Sequence, residues 1–154
     1  RKNIRIIKMI SIRESIPEDN ERLTEIWLNA SVKAHDFIPK DFWTDKVENM
    51  KRLYLPNSYT IVAYDNENDL ITGFISIVGK HHIAALFIDV PYQNQSTGSL
   101  LLQYVSDRFS NLTLSVYIEN TKAVSFYLRH GFFILQERID KNTGHSEYLM
   151  QKII

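Results

Sequence analysis

Three strand-like runs follow one another between Tyr59 and Val90, and they restrict the chain to folds built on an antiparallel meander. Tyr59-Thr60-Ile61-Val62-Ala63-Tyr64 is rich in the β-branched and aromatic residues that suit a pleated, half-buried surface. Asp65-Asn66-Glu67-Asn68-Asp69 then gathers side chains that hydrogen-bond their own backbone, a turn composition. Leu70 to Val78 makes the second run, Gly79-Lys80 the next turn, and His82 to Val90 the third. Runs separated by turns this short pair as antiparallel neighbours.

Helical patterns flank the meander. Ile10-Ser11-Ile12-Arg13 alternates as a short strand, and Pro17 suits a first helical turn. Leu23, Ile26, Trp27 and Ala30 then recur at three- and four-residue steps, one apolar helix face up to about Val32. Ile38-Pro39 opens a second helical pattern through Phe42, Trp43, Val47, Met50 and Leu53, ending by Pro56. After a polar loop, Pro91 to Thr97, Gly98 to Phe109 is helical with Leu101, Leu102, Val105 and Phe109 inward. Leu112 to Ile118 is a strand with Leu112, Leu114 and Val116 on one face. Asn120 caps a helix to Arg129 that stops at Gly131, and Phe132 to Ile139 with Glu147 to Ile153 closes as a strand pair. The order is β-α-α-β-β-β-α-β-α-β-β. An α/β (α+β) fold with one mixed, mostly antiparallel central sheet and helices on its faces packs it most simply.

The chain has 154 residues and no internal repeat or linker, enough for one domain that buries about 70% of its unfolded surface. It has no cysteine, which removes disulfides, thiolate metal sites and Cys nucleophiles and fits a reducing cytoplasm. His81-His82 and His145 lack any carboxylate–histidine spacing, so no metal site is expected. Net charge is zero, with Arg1, Lys2, Arg5 and Lys8 alone among the first eight residues; from Met9 onward 14 basic residues face 18 acidic ones. That balance argues against a nucleic-acid partner, and Lys46 to Arg52 reads as a solvated helix face. Residues 1–8 read as an upstream extension or vector remnant and 9–154 as the domain; Ile6-Ile7 is too short for a signal core. No segment reaches the roughly 18 apolar residues of a membrane span.

Two motifs carry chemistry. In Leu86 to Tyr104 a strand passes through the polar loop Gln93-Asn94-Gln95-Ser96-Thr97-Gly98-Ser99 into a helix. Unpaired backbone N–H groups beside the positive end of a helix dipole bind phosphate, and Gly98 lets the backbone approach an anion closely. No Gly-Lys-Ser/Thr follows and the three-glycine dinucleotide fingerprint is missing, so Walker and Rossmann readings fail. On spacing alone an ordinary helix start remains open. The second motif, Asn120 to Phe132, is an amphipathic helix in which Phe126 reads as core and Tyr127 points about 100° away, toward a buried hydrogen bond or a ligand.

Together the two stretches resemble the GCN5-related N-acetyltransferase superfamily (GNAT). Gln93-x-x-Ser96-x-Gly98 is similar to its pyrophosphate loop, Gln/Arg-x-x-Gly-x-Gly/Ala, and Asn120-x-x-Ala123-x-x-Phe126-Tyr127-x-x-x-Gly131-Phe132 matches its helix residue for residue. The resemblance runs from about Met9 to the end. Ile26-Trp27, His35-Asp36-Phe37-Ile38 and Ala85-Leu86-Phe87-Ile88-Asp89 point to its bacterial YjaB-like and YiaC-like branch. One departure is Ser96 in place of the first loop glycine, a residue whose Cβ resists left-handed angles; Gln93 and Gln95 likewise stand where positive charge is usual.

The resemblance implies a cytoplasmic N-acetyltransferase that moves an acetyl group from acetyl-CoA to a primary amine, by direct attack through a tetrahedral intermediate. The acceptor is a small molecule, a protein lysine or an N-terminus. It implies a pyrophosphate on Gln95 to Ser99, a pantetheine arm along Leu86, Phe87 and Ile88, and further contacts from Gln93, Asn94, Asn120, Ala123 and Phe126. Tyr127 is the implied general acid for the CoA thiolate, and an N–H near Ile88 the implied oxyanion donor. His35 is the first candidate base, with Asp36 and Glu25 as alternatives. Glu25, Trp27, Phe37 and Trp43, together with Phe42, are candidate acceptor contacts, although aromatics at helical spacing are more often core than cage. The rival reading is a non-catalytic acyl-CoA-binding module. A homodimer is expected from the exposed edges of such sheets.

Overall fold

The computed structural model describes residues 9–153, and the reading of residues 1–8 lies outside them. Seven strands form one sheet: β1 (Ile10–Glu14), β2 (Tyr59–Asp65), β3 (Leu70–Val78), β4 (His82–Ile88), β5 (Leu112–Tyr117), β6 (Phe133–Ile139) and β7 (Ser146–Lys152). Their order across the sheet is β1-β2-β3-β4-β5-β7-β6. Every pairing is antiparallel except β4 with β5. The expected meander is β2-β3-β4, and Asp65 organises its first turn by accepting from the N–H groups of Glu67 and Asn68.

Alternation along the strands sorts two cores onto the two faces. Ile61, Ala63, Ile75, Ile77 and Ile83 point toward helices α4 (Thr97–Ser106) and α5 (Thr121–Arg129), where Leu101, Leu102 and Val105 close over them. Val62, Phe74 and Ala85 point the other way, under helix α1 (Asn20–Ala34), with Leu23, Ile26 and Trp27 inward. A 3-10 turn over Pro17–Asp19 leads into α1, with the Asp19 carboxylate accepting from the Ile16 N–H at 2.9 Å and from Arg13 at 2.8 Å.

The second helix departs from the expectation of one continuous element. It breaks into α2 (Lys40–Thr44), a short α3 (Val47–Asn49), a π turn (Met50–Tyr54) and a 3-10 turn (Leu55–Asn57). The π turn is closed by the Leu55 N–H donating to the Met50 carbonyl, five residues back. That extra residue turns Leu53 outward, half exposed, and brings Leu55 into the core instead.

One salt bridge fixes α1 to the sheet beside the site. Arg22 donates to the Ile71 carbonyl and to Asp89 Oδ2, the latter at 2.8 Å, and Asp89 accepts in turn from the Val90 N–H. The end of β4 is thereby tied to a helix on one face and to the following loop.

Candidate active site

The sheet opens where β4 and β5 part. Only His82 with Thr113 and Ile83 with Leu114 are paired; beyond them β4 keeps β3 and β5 keeps β7. Leu86, Phe87 and Ile88 therefore form one lip of a gap in the middle of the sheet. The Asp89 N–H donates to the Thr72 carbonyl at 2.8 Å, so strand alternation turns the Ile88 N–H away from β3 and into the gap. Gln93 Nε2 donates to the Ile88 carbonyl at 2.9 Å and holds the following loop against this lip.

A cleft of about 480 Å³ runs from the gap to the start of α4. Leu86, Phe87 and Ile88 line it on one side; Gln93, Asn94, Ser96, Thr97, Gly98 and Ser99 close its end. Asn120, Ala123, Phe126 and Tyr127 form the opposite wall. Gln95 alone of the expected cofactor set is exposed and outside the lining.

The cleft also gathers residues that motif reading missed: Ala30 and Ala34 of α1, Tyr92, Lys122 and Arg129. Lys122, Phe126 and Arg129 are spaced by four and three, so one face of α5 carries both cations toward the cleft. That spacing was the available signal. These side chains supply the positive charge that Gln93 and Gln95 do not.

The loop earns its helix entry by strain. Asn94 and Ser96 both lie in the left-handed region, at φ 65° and 67°. Ser96 is the N-cap of α4 yet its hydroxyl makes no capping bond. A left-handed angle costs an L-residue about 1–2 kcal/mol, partly offset in a glycine by the larger entropy it loses on folding. Ser96→Gly is therefore expected to stabilise the chain by up to about 1 kcal/mol. Urea unfolding checks it; an unchanged or lowered midpoint would show that the angle carries no strain.

Tyr127 is buried, its ring edge-on to Phe126 at 5.3 Å and to Phe132 at 5.5 Å. Its hydroxyl makes no hydrogen bond among the described residues. Burial pushes the phenol well above its usual value, so it stays protonated at neutral pH.

His35 is not among the residues that line the cleft and reaches its wall through Asn120. The ring is buried, stacked on Trp43 at 4.9 Å and met edge-on by Phe37 and Tyr117. Its Nδ1 is 2.9 Å from the Ser31 carbonyl, which only accepts, so the proton sits on Nδ1 and Nε2 keeps its lone pair. Nε2 is 3.4 Å from Asn120 Nδ2, while Asn120 Oδ1 accepts from the Ala123 N–H at the start of α5. Burial pulls the imidazole below its usual value, outweighing the Ser31 carbonyl, so it is neutral at pH 7.

Phe37 lies between His35, Tyr117 and His145, with Tyr117 donating to Asp140 and His145 bonded to Glu119 at 2.7 Å. Trp43 supports His35 from within the core. The remaining candidates stand apart. Asp36 is exposed, Glu25 is exposed and paired with Arg22, and Trp27 borders a separate apolar cavity of about 560 Å³ under the π turn. No cluster of three metal-ligating side chains and no helix long and apolar enough to cross a membrane occurs among the described residues.

A mixed sheet parted between two parallel strands, with a helix N-terminus at the end of the gap, makes a cleft suited to an extended ligand that ends in phosphate. A family model described as an acetyltransferase (GNAT) domain matches residues 29–153, and the chain belongs to the GNAT family of acetyl-CoA-dependent N-acetyltransferases. It is 35% identical over 139 residues, 90% of this chain and 87% of the relative, to the peptidyl-lysine N-acetyltransferase YjaB of Escherichia coli. It is 32% identical over 124 residues, 80% of this chain and 84% of the relative, to the peptidyl-lysine N-acetyltransferase YiaC of the same organism. The solution structure of apo YjaB superposes with a TM-score of 0.80, covering 93% of this chain and 97% of that one at 29% identity. The fold is shared with PaiA N-acetyltransferase of Thermoplasma acidophilum, solved with coenzyme A, at TM-score 0.79 and 20% identity over 95% and 99% of the two chains.

Proposed function

We propose that this chain is a cytoplasmic peptidyl-lysine N-acetyltransferase, with residues 9–154 as its catalytic domain, His35 as base and Tyr127 as acid. The observation that carries the reading is a pair of proton-handling groups at the cleft: Tyr127 in its wall and His35 in contact with the wall residue Asn120. The neutral imidazole has a lone pair on Nε2, and the buried phenol keeps its proton. The peptidyl-lysine activity of YjaB and YiaC supports the choice of acceptor.

The residues present fit a CoA thioester. Thr97, Gly98 and Ser99 are the first three residues of α4, so their N–H groups have no partner within the helix and suit a diphosphate. A Cβ at Gly98 would stand 3.5 Å from the Phe126 ring, an ordinary contact, so a methyl there occupies cleft space without disturbing the fold. Gly98→Ala is accordingly expected to leave the unfolding midpoint within experimental error while weakening acetyl-CoA binding about tenfold or more, about 1.4 kcal/mol. Calorimetric titration checks it; unaltered affinity would move the diphosphate away from this turn. Lys122 and Arg129 add charge that favours the phosphates.

When bound, acetyl-CoA supplies an activated acetyl carbonyl and a thiolate leaving group. The Ile88 N–H, turned into the gap, suits the developing oxyanion. A lysine side chain arrives mostly as ammonium, its usual pKa being about 10.4. His35 Nε2 would take one proton from the ammonium, directly or through a water, so that the free amine can add to the thioester carbonyl; the second N–H proton would leave to solvent as the carbon–sulfur bond breaks and Tyr127 protonates the sulfur. Asn120 keeps the imidazole aligned with the start of α5. Tyr127 would donate as charge builds on sulfur, and its raised pKa keeps the proton on the phenol until that charge appears. On the acceptor side, the Phe37 and Tyr117 rings beside Asp140 suit a cation.

Mass spectrometry of a lysine-containing protein incubated with chain and acetyl-CoA tests the reading, with spermidine and an N-terminal amine as competing acceptors. A gain of one acetyl group on lysine side chains supports it. Tight acetyl-CoA binding with no transfer to any amine would leave the non-catalytic binding module, and transfer to spermidine alone would overturn the protein acceptor.

A further inference from the structure

Ser99, third residue of α4, lines the end of the cleft, and its hydroxyl is engaged from behind. Its Oγ is 3.0 Å from Nε2 of His130, the residue that caps the C-terminal end of α5. The other ring nitrogen, Nδ1, is 2.8 Å from the Phe126 carbonyl. A carbonyl only accepts, so this bond puts a proton on Nδ1. In the neutral imidazole Nε2 is then a bare acceptor, and the single Ser99 hydroxyl proton must point to it. Toward the cleft Ser99 is left with lone pairs, the wrong sign for a phosphate oxygen.

Protonating the ring reverses that bond. An imidazolium donates from both nitrogens, Nδ1 to Phe126 and Nε2 to Ser99 Oγ, and the hydroxyl proton is free to turn into the cleft. The ring stays half-buried against Phe126, 4.3 Å between centroids, so stacking as well as bonding fixes its orientation. Its charged surroundings are cationic: Arg129 beside it and Lys122 farther along the cleft face of α5, and Lys152 of β7, whose side chain passes 3.5 Å from where a Cβ of Gly131 would stand. From α4 the ring meets the Ser99 hydroxyl, and neither ring nitrogen has a carboxylate partner among the described residues. Like charges disfavour the imidazolium, the carbonyl end of α5 favours it, and a diphosphate in the cleft would tip the balance toward it.

We propose that His130 is a positioning residue for the cofactor's diphosphate: it takes up one proton from solvent as the cofactor binds and, through Ser99, turns a hydroxyl donor onto the phosphates. The inference rests on the diphosphate lying at the start of α4, and it makes cofactor capture proton-coupled. Affinity therefore falls as pH rises.

The probe is acetyl-dephospho-CoA, whose blocked thiol and missing 3′-phosphate leave the ligand no group of its own titrating near neutrality. Calorimetric titration of the full chain in Tris and in MOPS, two buffers of different ionisation enthalpy, counts the protons taken up per ligand bound. Net uptake is expected at neutral pH, with affinity falling about threefold or more per pH unit, about tenfold being the ceiling for one proton. His130→Gln puts an amide N–H near the original Nε2 that donates to Ser99 at every pH, so this variant is expected to bind without uptake and without a pH slope. Imidazole nitrogen NMR of the unaltered chain is expected to show His130 Nε2 gaining a proton when the ligand is added. Binding without proton uptake overturns the inference, as does a bound state whose His130 Nε2 stays unprotonated. Uptake that persists in His130→Gln also overturns it and assigns the proton to another group. Failure of the underlying reading looks different: Gly98→Ala would bind the same probe as tightly as wild type, whatever the proton count.

Discussion

Tyr127→Phe is expected to lower kcat by about 100-fold or more, the usual scale for an acid–base group, while KM for acetyl-CoA stays within a few-fold. The substitution isolates the proton. Phe126 and Phe132 hold the ring through apolar contacts, and the hydroxyl bonds to nothing among the described residues, so phenylalanine keeps the fold and loses only the O–H. Steady-state thiol release with saturating acetyl-CoA measures it. A variant that turns over at the wild-type rate removes Tyr127 from the proton path, and a large rise in KM with unchanged kcat reassigns it to cofactor packing.

His35→Asn carries the second large effect, again about 100-fold or more in kcat. Asparagine places an N–H near the original Nδ1, so donation to the Ser31 carbonyl survives while the Nε2 lone pair is lost. The pH profile separates a base from a structural residue. Burial holds His35 below the usual 6.5, so wild-type kcat stays level as pH falls to about 6.5 and declines only below it. The asparagine variant is expected to lack that acid limb. Persistence of the limb in the variant would assign it to another group. Stability follows the same sign: below 6.5 the unfolded chain binds a proton that the folded chain refuses, so folding weakens as pH drops.

Local pattern made much of this legible. Alternation between Tyr59 and Val90 located the meander, and Asn120 was readable as a cap because a polar residue three before Ala123 is where a helix start needs an acceptor. Ser96 showed as strained because the loop demands a left-handed residue there, and the structure has it at φ 67°. What stayed hidden depends on distance along the chain. His35 and Asn120 are separated by 85 residues, and no spacing rule joins them. The burial that sets the protonation of His35 comes from Trp43 stacked on its face, which the sequence offers equally as core or cage. The π turn was invisible because Val47, Met50 and Leu53 satisfy the α-helical period; only the five-residue hydrogen bond from Leu55 shows the slip. Lys122 and Arg129 escaped because the helix motif names its apolar members and is silent on the charged ones between them.

With two ladder pairs joining β4 to β5, the native sheet is expected to gain stability from a bound thioester. An extended molecule laid between the lips would act as an absent strand, engaging amide groups that only the native state lines up. By mass action, a ligand present at a hundred times its dissociation constant adds about 2.7 kcal/mol to that state. A starving cell, short of the thioester, would then hold a softer and more readily degraded enzyme than a well-fed one.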